Sequence, residues 1–488
     1  MLNAFRNQGG QALVYVTVML GVLALGAAYV YNSYTISNEK TRLQNATDAV
    51  AYSVATVEAR DLNFKAYTNR AMIANQIAVA QFVGLVSWIR WADNTTRNID
   101  AIARFIPYVN AVSAAIRNAV NAVRDVMEPV MQYAASFADQ IIQLLHLGQQ
   151  AYHLATIGVA RDTMVEVARA NDPAIETGFS FGNLIFAGDY FNKHQNFTRQ
   201  FDPDVVKNNS GSSTGRAGRN YREHRERMEE FRNITMASRD GFSSNRNYRF
   251  GPRVVIPFFR QWEMRRSGGT DLVGANRRAQ YYSWIAMDTL SLHQKKYKCG
   301  WRCRWRGWKE ILPIGWGAAR NGEDVLFRRF NANSNVGGSW RRNPKASRLA
   351  SWEFQTADEV ESFQEFRGLR AFYDLRLNGL VQQGPGIAIM LTKPQSGIRT
   401  AKSLNYNAGR LDLEREGGML RDRMAAMAQA NPYFARINDN RQGSGNGRYV
   451  RSDGMREYGN LYNPYWQAHL TPISGSAKRT IQGLALVN

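Results

Sequence analysis

The chain has 488 residues, 44% of them hydrophobic and 21% charged, with a formal net charge of +22. This composition excludes a disordered or collagen-like chain and leaves room for a large core in two or three units. Two cysteines in such a length also exclude a disulfide-rich scaffold.

From the amino terminus, QGGQ (Gln8–Gln11) is followed by a run from Ala12 through Leu20 to Val30 without a charged residue. That run is long enough, as a helix, to cross the hydrocarbon of a bilayer. It does not end in a small-residue cleavage site, so an uncleaved anchor is expected over a removed signal. Arg6 precedes the span, which puts the amino terminus inside and everything after about Tyr31 outside. The polar, Ala-rich stretch beyond it has helical spacing at Leu43, Ala46, Val50, Val54 and Val57.

The Gly-Gln-Ala start, the single span and then Leu43, Gln44, Asn45, Ala46, Asp48, Ala49 and Ala51 resemble the amino-terminal module of the TadE/TadG-like proteins of Flp (tight-adherence) pilus assembly. A fainter echo of TadG-like sequences lies in Met424–Arg436 and Arg456–Leu470. The resemblance implies a non-enzymatic, single-pass protein of the bacterial inner membrane with a cytoplasmic amino terminus and a periplasmic bulk. It implies other pilus-assembly subunits as partners, homo- or hetero-oligomers, and leaves open incorporation into an extracellular pilus. Two features of related proteins are missing. Tyr15 stands five residues after Gly10, where pilins of the related type carry Glu, and the Asp-x-Ser-x-Ser metal motif of some adhesive domains does not occur.

Ala71–Ile89 is a second uncharged run, but Asn75, Gln76, Gln81 and Ser87 favour a packed amphipathic helix over a second span. Next, Ile102, Phe105, Val109, Val112, Ile116, Ala119, Val123, Val126 and Val130 step by three and four, a heptad seam expected to bury against this chain's helices or a partner's. Pro129 predicts a kink or restart near Glu128. These stretches predict a helical stalk or bundle over 35–170, after an amino-terminal segment and anchor over 1–34.

Beyond NDPAIETG (Asn171–Gly178) a mixed α+β head is expected, in a basic, aromatic-rich part over 171–345 and a second part over 346–488. The fold class is thus α+β. FSFGNLIFAGDYF (Phe179–Phe191) looks strand-like or irregular, Asn208–Asn220 reads as a loop, and Tyr221–Asp240 as a charged helix. Arg253–Phe259 reads as a strand, while Ala279–His293 reads either way. Arg370–Leu377 and Gly386–Thr392 are strand candidates that could pair as a hairpin. Leu411–Ala430 offers a helix weakened at Gly417-Gly418.

Between Arg216 and Arg348 stand 29 Lys and Arg against 11 Asp and Glu. Such a surface favours anionic partners, whether phosphorylated lipids, cell-wall polymers, DNA or an acidic sister subunit. Its most unusual stretch sets Lys298, Arg302, Arg304 and Arg306 among Trp301, Trp305 and Trp308, a candidate clamp for an anionic ligand. The same tryptophans stand at helical spacing, so a short helix with a Trp core face is the competing reading. Cys299 and Cys303 are expected to form a disulfide in an oxidising compartment. No hydrolase, P-loop or zincin motif occurs. The six histidines, including His146 and His153 on one helical face, lack a third ligand at motif spacing, so no metal or other cofactor is expected. A membrane-anchored enzyme or binding protein for anionic polymers is the alternative to an assembly role.

Overall fold

The computed structural model describes residues 9–103, 109–177, 181–208, 214–273, 282–321, 341–356, 368–376, 381–394, 397–398, 423–436, 457–475 and 477–479. Its helices are α1 (Gly9–Ala103), α2 (Val109–Asn171), α3 (Phe181–Phe197), α4 (Pro203–Asn208), α5 (Gly215–Ala237), α6 (Gly241–Ser244) and α7 (Pro344–Thr356). The strands are β1 (Thr198–Phe201), β2 (Tyr248–Ile256), β3 (Arg260–Val273), β4 (Ser283–Lys298), β5 (Arg304–Trp305), β6 (Lys309–Arg320), β7 (Phe372–Leu375), β8 (Ile387–Pro394), β9 (Arg423–Phe434) and β10 (Trp466–Thr471). Helices and antiparallel sheets coexist, so the class is α+β. The sheets run β1-β7, β10-β9-β8 and β2-β3-β4-β5, with β6 also paired to β4.

The chain forms two compact units, one from Met1–Ala66, Ala151–Arg199 and Leu375–Asn488, the other from Tyr67–Gln150 and Gln200–Asp374. Their boundaries differ from the divisions at 34, 170 and 345 expected from the sequence. In the first unit, Leu43, Ala46, Val50, Val54 and Val57 are all buried, as their spacing predicts, against Ala160 and Ala168 of α2 and Ile387, Ile389, Met424 and Ala426 of β8 and β9. In the second, the run Ala71–Ile89 buries Met72, Val79, Val83 and Val86, and its polar residues serve the sheet. Gln76 accepts from the Trp284 indole and Ser87 donates to Asp288.

A further ladder closes the β6 edge. Arg90, Asn94 and Asn98 of α1 donate to the carbonyls of Ala318, Trp316 and Ile314. Four helical residues rise about 6 Å and two strand residues about 6.6 Å, so the two periods nearly match over three rungs. Gly315 and Gly317 permit this approach: a Cβ on Gly317 would lie 2.3 Å from the Trp91 nitrogen.

Several elements differ from the sequence reading. Phe181–Phe191 is helical, and Gly215–Asn220 already belongs to α5. Pro129 lies inside α2, which runs through it because a 63-residue helix tolerates one missing N–H donor. Arg423–Ala430 is strand, not helix, since its alternate residues are buried. The expected β7–β8 hairpin does not form: β7 pairs with β1, and β8 with β9. Residues 411–422 lie outside the described part.

Candidate functional site

Four constellations carry chemistry, the first being the anchor. Ala12, Leu20 and Val30 lie on an α1 stretch that is exposed except at half-buried Ala28, with a mean hydropathy of 2.2 over its most apolar window. A bare, uncharged and largely aliphatic surface of this length is stable in hydrocarbon and unstable in water.

The second is the seam. Ile102, Val109 and Val112 lie in α1 and α2, but their side chains, like all of Phe105, fall outside the described residues. Ile116 and Val123 are exposed, and the same three-four stepping continues through Val126, Val130, Tyr133 and Phe137 to Leu144 and Leu147. All eight are between 49% and 78% exposed. The stripe spans about 46 Å of helix, and the residues beside it in the same register are neutral: Ala115, Ala122, Met127, Ser136 and Gln143. Pro129, where the sequence predicts a kink or restart, does not interrupt the stripe, because α2 runs through it.

The third is the end of the five-stranded sheet. Cys299 and Cys303 are joined (S–S 2.06 Å), closing a loop with Trp301 fully exposed inside it. Tyr297 pairs with Trp305 and Lys298 with Arg304 across the β4–β5 turn, which overturns the helical alternative for the tryptophans. The loop needs only five residues to reverse direction, and helix cannot form across it. Lys298, Arg302, Arg304 and Arg306 are exposed; Trp305 and Trp308 are half-buried beneath cations. Lys295 lies 5.6 Å and 5.9 Å from their ring centres, and Arg265 lies 4.8 Å from that of Trp308. The cations over Trp305 and Trp308 are thus Lys295, Arg253 and Arg265, not the four expected from the sequence, and Trp301 stands apart from them.

The fourth went unseen in the sequence. Lys65, with no exposed side-chain surface, lies 2.5 Å from Asp61 Oδ2 and 2.8 Å from His153 Nδ1. His194 donates from Nδ1 to Glu58 at 2.7 Å, stacks on His153 at 4.2 Å, and shares Glu58 with the Tyr190 hydroxyl. Burial alone would lower the His194 pKa, but the Glu58 hydrogen bond and charge outweigh it, so the net shift is upward. Burial and the Lys65 charge lower that of His153, against the raising effect of Asp61. Burial would raise the Asp61 pKa; Lys65 and His153 together bring it below the usual carboxylate range. Asp61, His153 and His194 offer three ligand atoms within 4.8 Å of one another. The Lys65 ammonium already supplies the positive charge there, so the donor set fits an internal ion network better than a cation. His194 and Glu58 are each 1% exposed, out of a substrate's reach. The partners come from α1, α2 and α3, a spacing that no local motif encodes.

Among the described residues, other acid–base candidates do not converge. Asp358, Glu359, Glu361 and Glu365 lie outside the described residues. His293 is buried against Asn343, and His146 bonds Gln200. The open cleft along α5 is lined by residues of that single helix, among them Arg222, Arg225, Glu226 and Glu229.

No curated protein and no solved structure matches the chain. Residues 10–57, which take in the exposed anchor and the helical turns buried just after it, match the model of a family described as putative Flp pilus-assembly TadE/G-like.

Proposed function

We propose that this chain is a non-enzymatic, membrane-anchored component of a Flp/Tad-type pilus assembly or secretion machine, acting through helix packing and surface contacts. The observation that carries the reading is a TadE/G-like segment whose span lies bare on a helix that continues without a break into a folded body. An anchor built this way ties the body directly to the bilayer. In this reading the amino terminus is cytoplasmic and the bulk periplasmic, in keeping with Arg6 before the span and with a disulfide at Cys299–Cys303.

The working surface is the α2 seam. An apolar three-four stripe left uncovered over about nine turns suits a helix of a neighbouring subunit, and its neutral flanks raise no charge barrier to close approach. Val123→Asp with Phe137→Asp tests this in the full chain. Both side chains are more than half exposed, so thermal unfolding of the purified protein should move little, while pilus formation and subunit co-purification should fall sharply. Normal piliation by a folded double variant would remove the seam from the assembly surface.

A further inference from the structure

The end of the five-stranded sheet carries a second projection beside the disulfide loop. At the β2–β3 turn, Val254, Val255 and Ile256 follow one another, 57%, 47% and 46% exposed. Successive strand residues point to opposite faces, so this hairpin is bare on both sides. Phe258, at the turn, is 80% exposed and has a φ of 56°. That left-handed conformation suits glycine or asparagine, and a turn serving only to reverse the chain has no need of phenylalanine there. Tyr297 joins the two projections: its ring lies 5.9 Å from that of Phe258 and 5.2 Å from that of Trp305, and its N–H donates to the Phe259 carbonyl.

Charge completes the pattern. Deeper in the sheet the arginines are paired, Arg246 and Arg266 with Asp288, and Arg253 and Arg265 with Glu263. At the tip, Arg260, Lys296, Lys298, Arg302, Arg304 and Arg306 have no carboxylate partner among the described residues. A soluble polyanion would account for these cations but not for the bare Val-Val-Ile and Phe-Phe. A protein groove would account for the apolar residues but not for so many unpaired charges around them. An anionic bilayer accounts for both, because its phosphates lie directly above a medium that takes up apolar side chains from either face of a hairpin.

We propose that this end of the sheet docks on an anionic phospholipid bilayer, seating Phe258, Phe259 and Trp301 among the headgroups with the surrounding cations on the phosphates. The test uses the full chain bearing Phe258→Cys, labelled with a polarity-sensitive fluorophore and reconstituted into phosphatidylcholine vesicles with or without about one third phosphatidylglycerol. The probe reports insertion into any bilayer that it reaches. Expected is a blue-shifted emission, quenched by spin-labelled lipid, in the anionic vesicles alone. Raising the salt from about 0.05 M to about 0.5 M should cut the inserted fraction at least about fivefold. Lys298→Glu, Arg302→Glu and Arg304→Glu together should abolish the shift without changing the unfolding temperature.

Equal emission from both kinds of vesicle would overturn the proposal. So would a probe left in water while the chain in neutral vesicles binds poly-glutamate or DNA, since the site would then be a polyanion site. The same holds for charge-reversed protein that keeps its fold and still inserts.

Discussion

Lys65 is the residue on which the first unit's polar interior turns. Its ammonium is buried beside Asp61 and His153, and each of the three would be costly to bury alone. Lys65→Met keeps the stem's volume and removes the charge, leaving the Asp61 carboxylate in a site built for an ion pair. The change should destabilise the purified full chain by about 3–5 kcal/mol, read as a lowered unfolding midpoint. Asp61→Asn added to it should recover part of that loss, and a pair whose effects simply summed would show that the two groups do not interact.

His194 titrates in the opposite sense to its stacked neighbour. Its folded-state pKa lies above the unfolded value of about 6.5, so its pairing with Glu58 stabilises fully below that value and fades as pH rises through the folded pKa. His153, shifted downward, instead loses stability as pH falls. Burial, the largest cause of that shift, is common to wild type and His194→Gln, so most of the His153 contribution cancels between them. The gap in unfolding temperature between the two proteins should therefore be widest below about pH 6.5 and narrow toward alkaline pH. A gap that widens with pH would mean that His194 is neutral beside Glu58.

Among the elements, those with strong periodicity were legible and those defined by distant partners were not. Leu43 to Val57 marked the buried row of α1 because one helix face supplies all of it. The polar residues of Ala71–Ile89 marked a packed helix, and Gln76 and Ser87 do bond to the sheet. β9 was misread because MAAMAQA combines good helix formers. Its small side chains instead let alternate residues Met424, Ala426 and Ala428 meet the helical row, so packing overrode propensity. The sheet-end cluster was visible as composition in Lys295–Trp316, but the hairpin at Val254–Phe259 joins it only through the β3–β4 register, which no local pattern announces. The ladder from α1 to β6 was equally hidden, since it needs two glycines some 220 residues beyond its asparagines. Gly317→Ala tests how tight that approach is: the added carbon would lie 2.3 Å from one backbone atom of α1 and 2.4 Å from another. Backbone cannot rotate aside, so a loss of about 1–3 kcal/mol is expected in thermal unfolding. A neutral result would mean that β6 rides farther from the helix.

At the scale of the whole molecule, each unit is assembled from separated stretches of chain, and both draw buried rows from α1. The β8–β9 sheet of the first unit rests on Leu43–Val57, while the β3–β4–β6 sheet of the second is bonded to Gln76–Asn98. A piece comprising only residues 171–488 would keep all ten described strands and lose both helical rows. Apolar faces of this kind aggregate when uncovered, and the polar edge of β6 would lose the donors from Arg90, Asn94 and Asn98. A chain running from residue 31 to 488 removes the span but keeps both rows. The longer piece should therefore be soluble and unfold cooperatively, whereas 171–488 should aggregate or elute as an expanded chain on size exclusion. The comparison is decisive because both pieces lack the anchor, so lipid affinity cannot explain a difference between them. A monomeric 171–488 fragment with a sharp thermal transition would show that the sheets fold without α1, and the helical rows would then be a covering rather than half of each core.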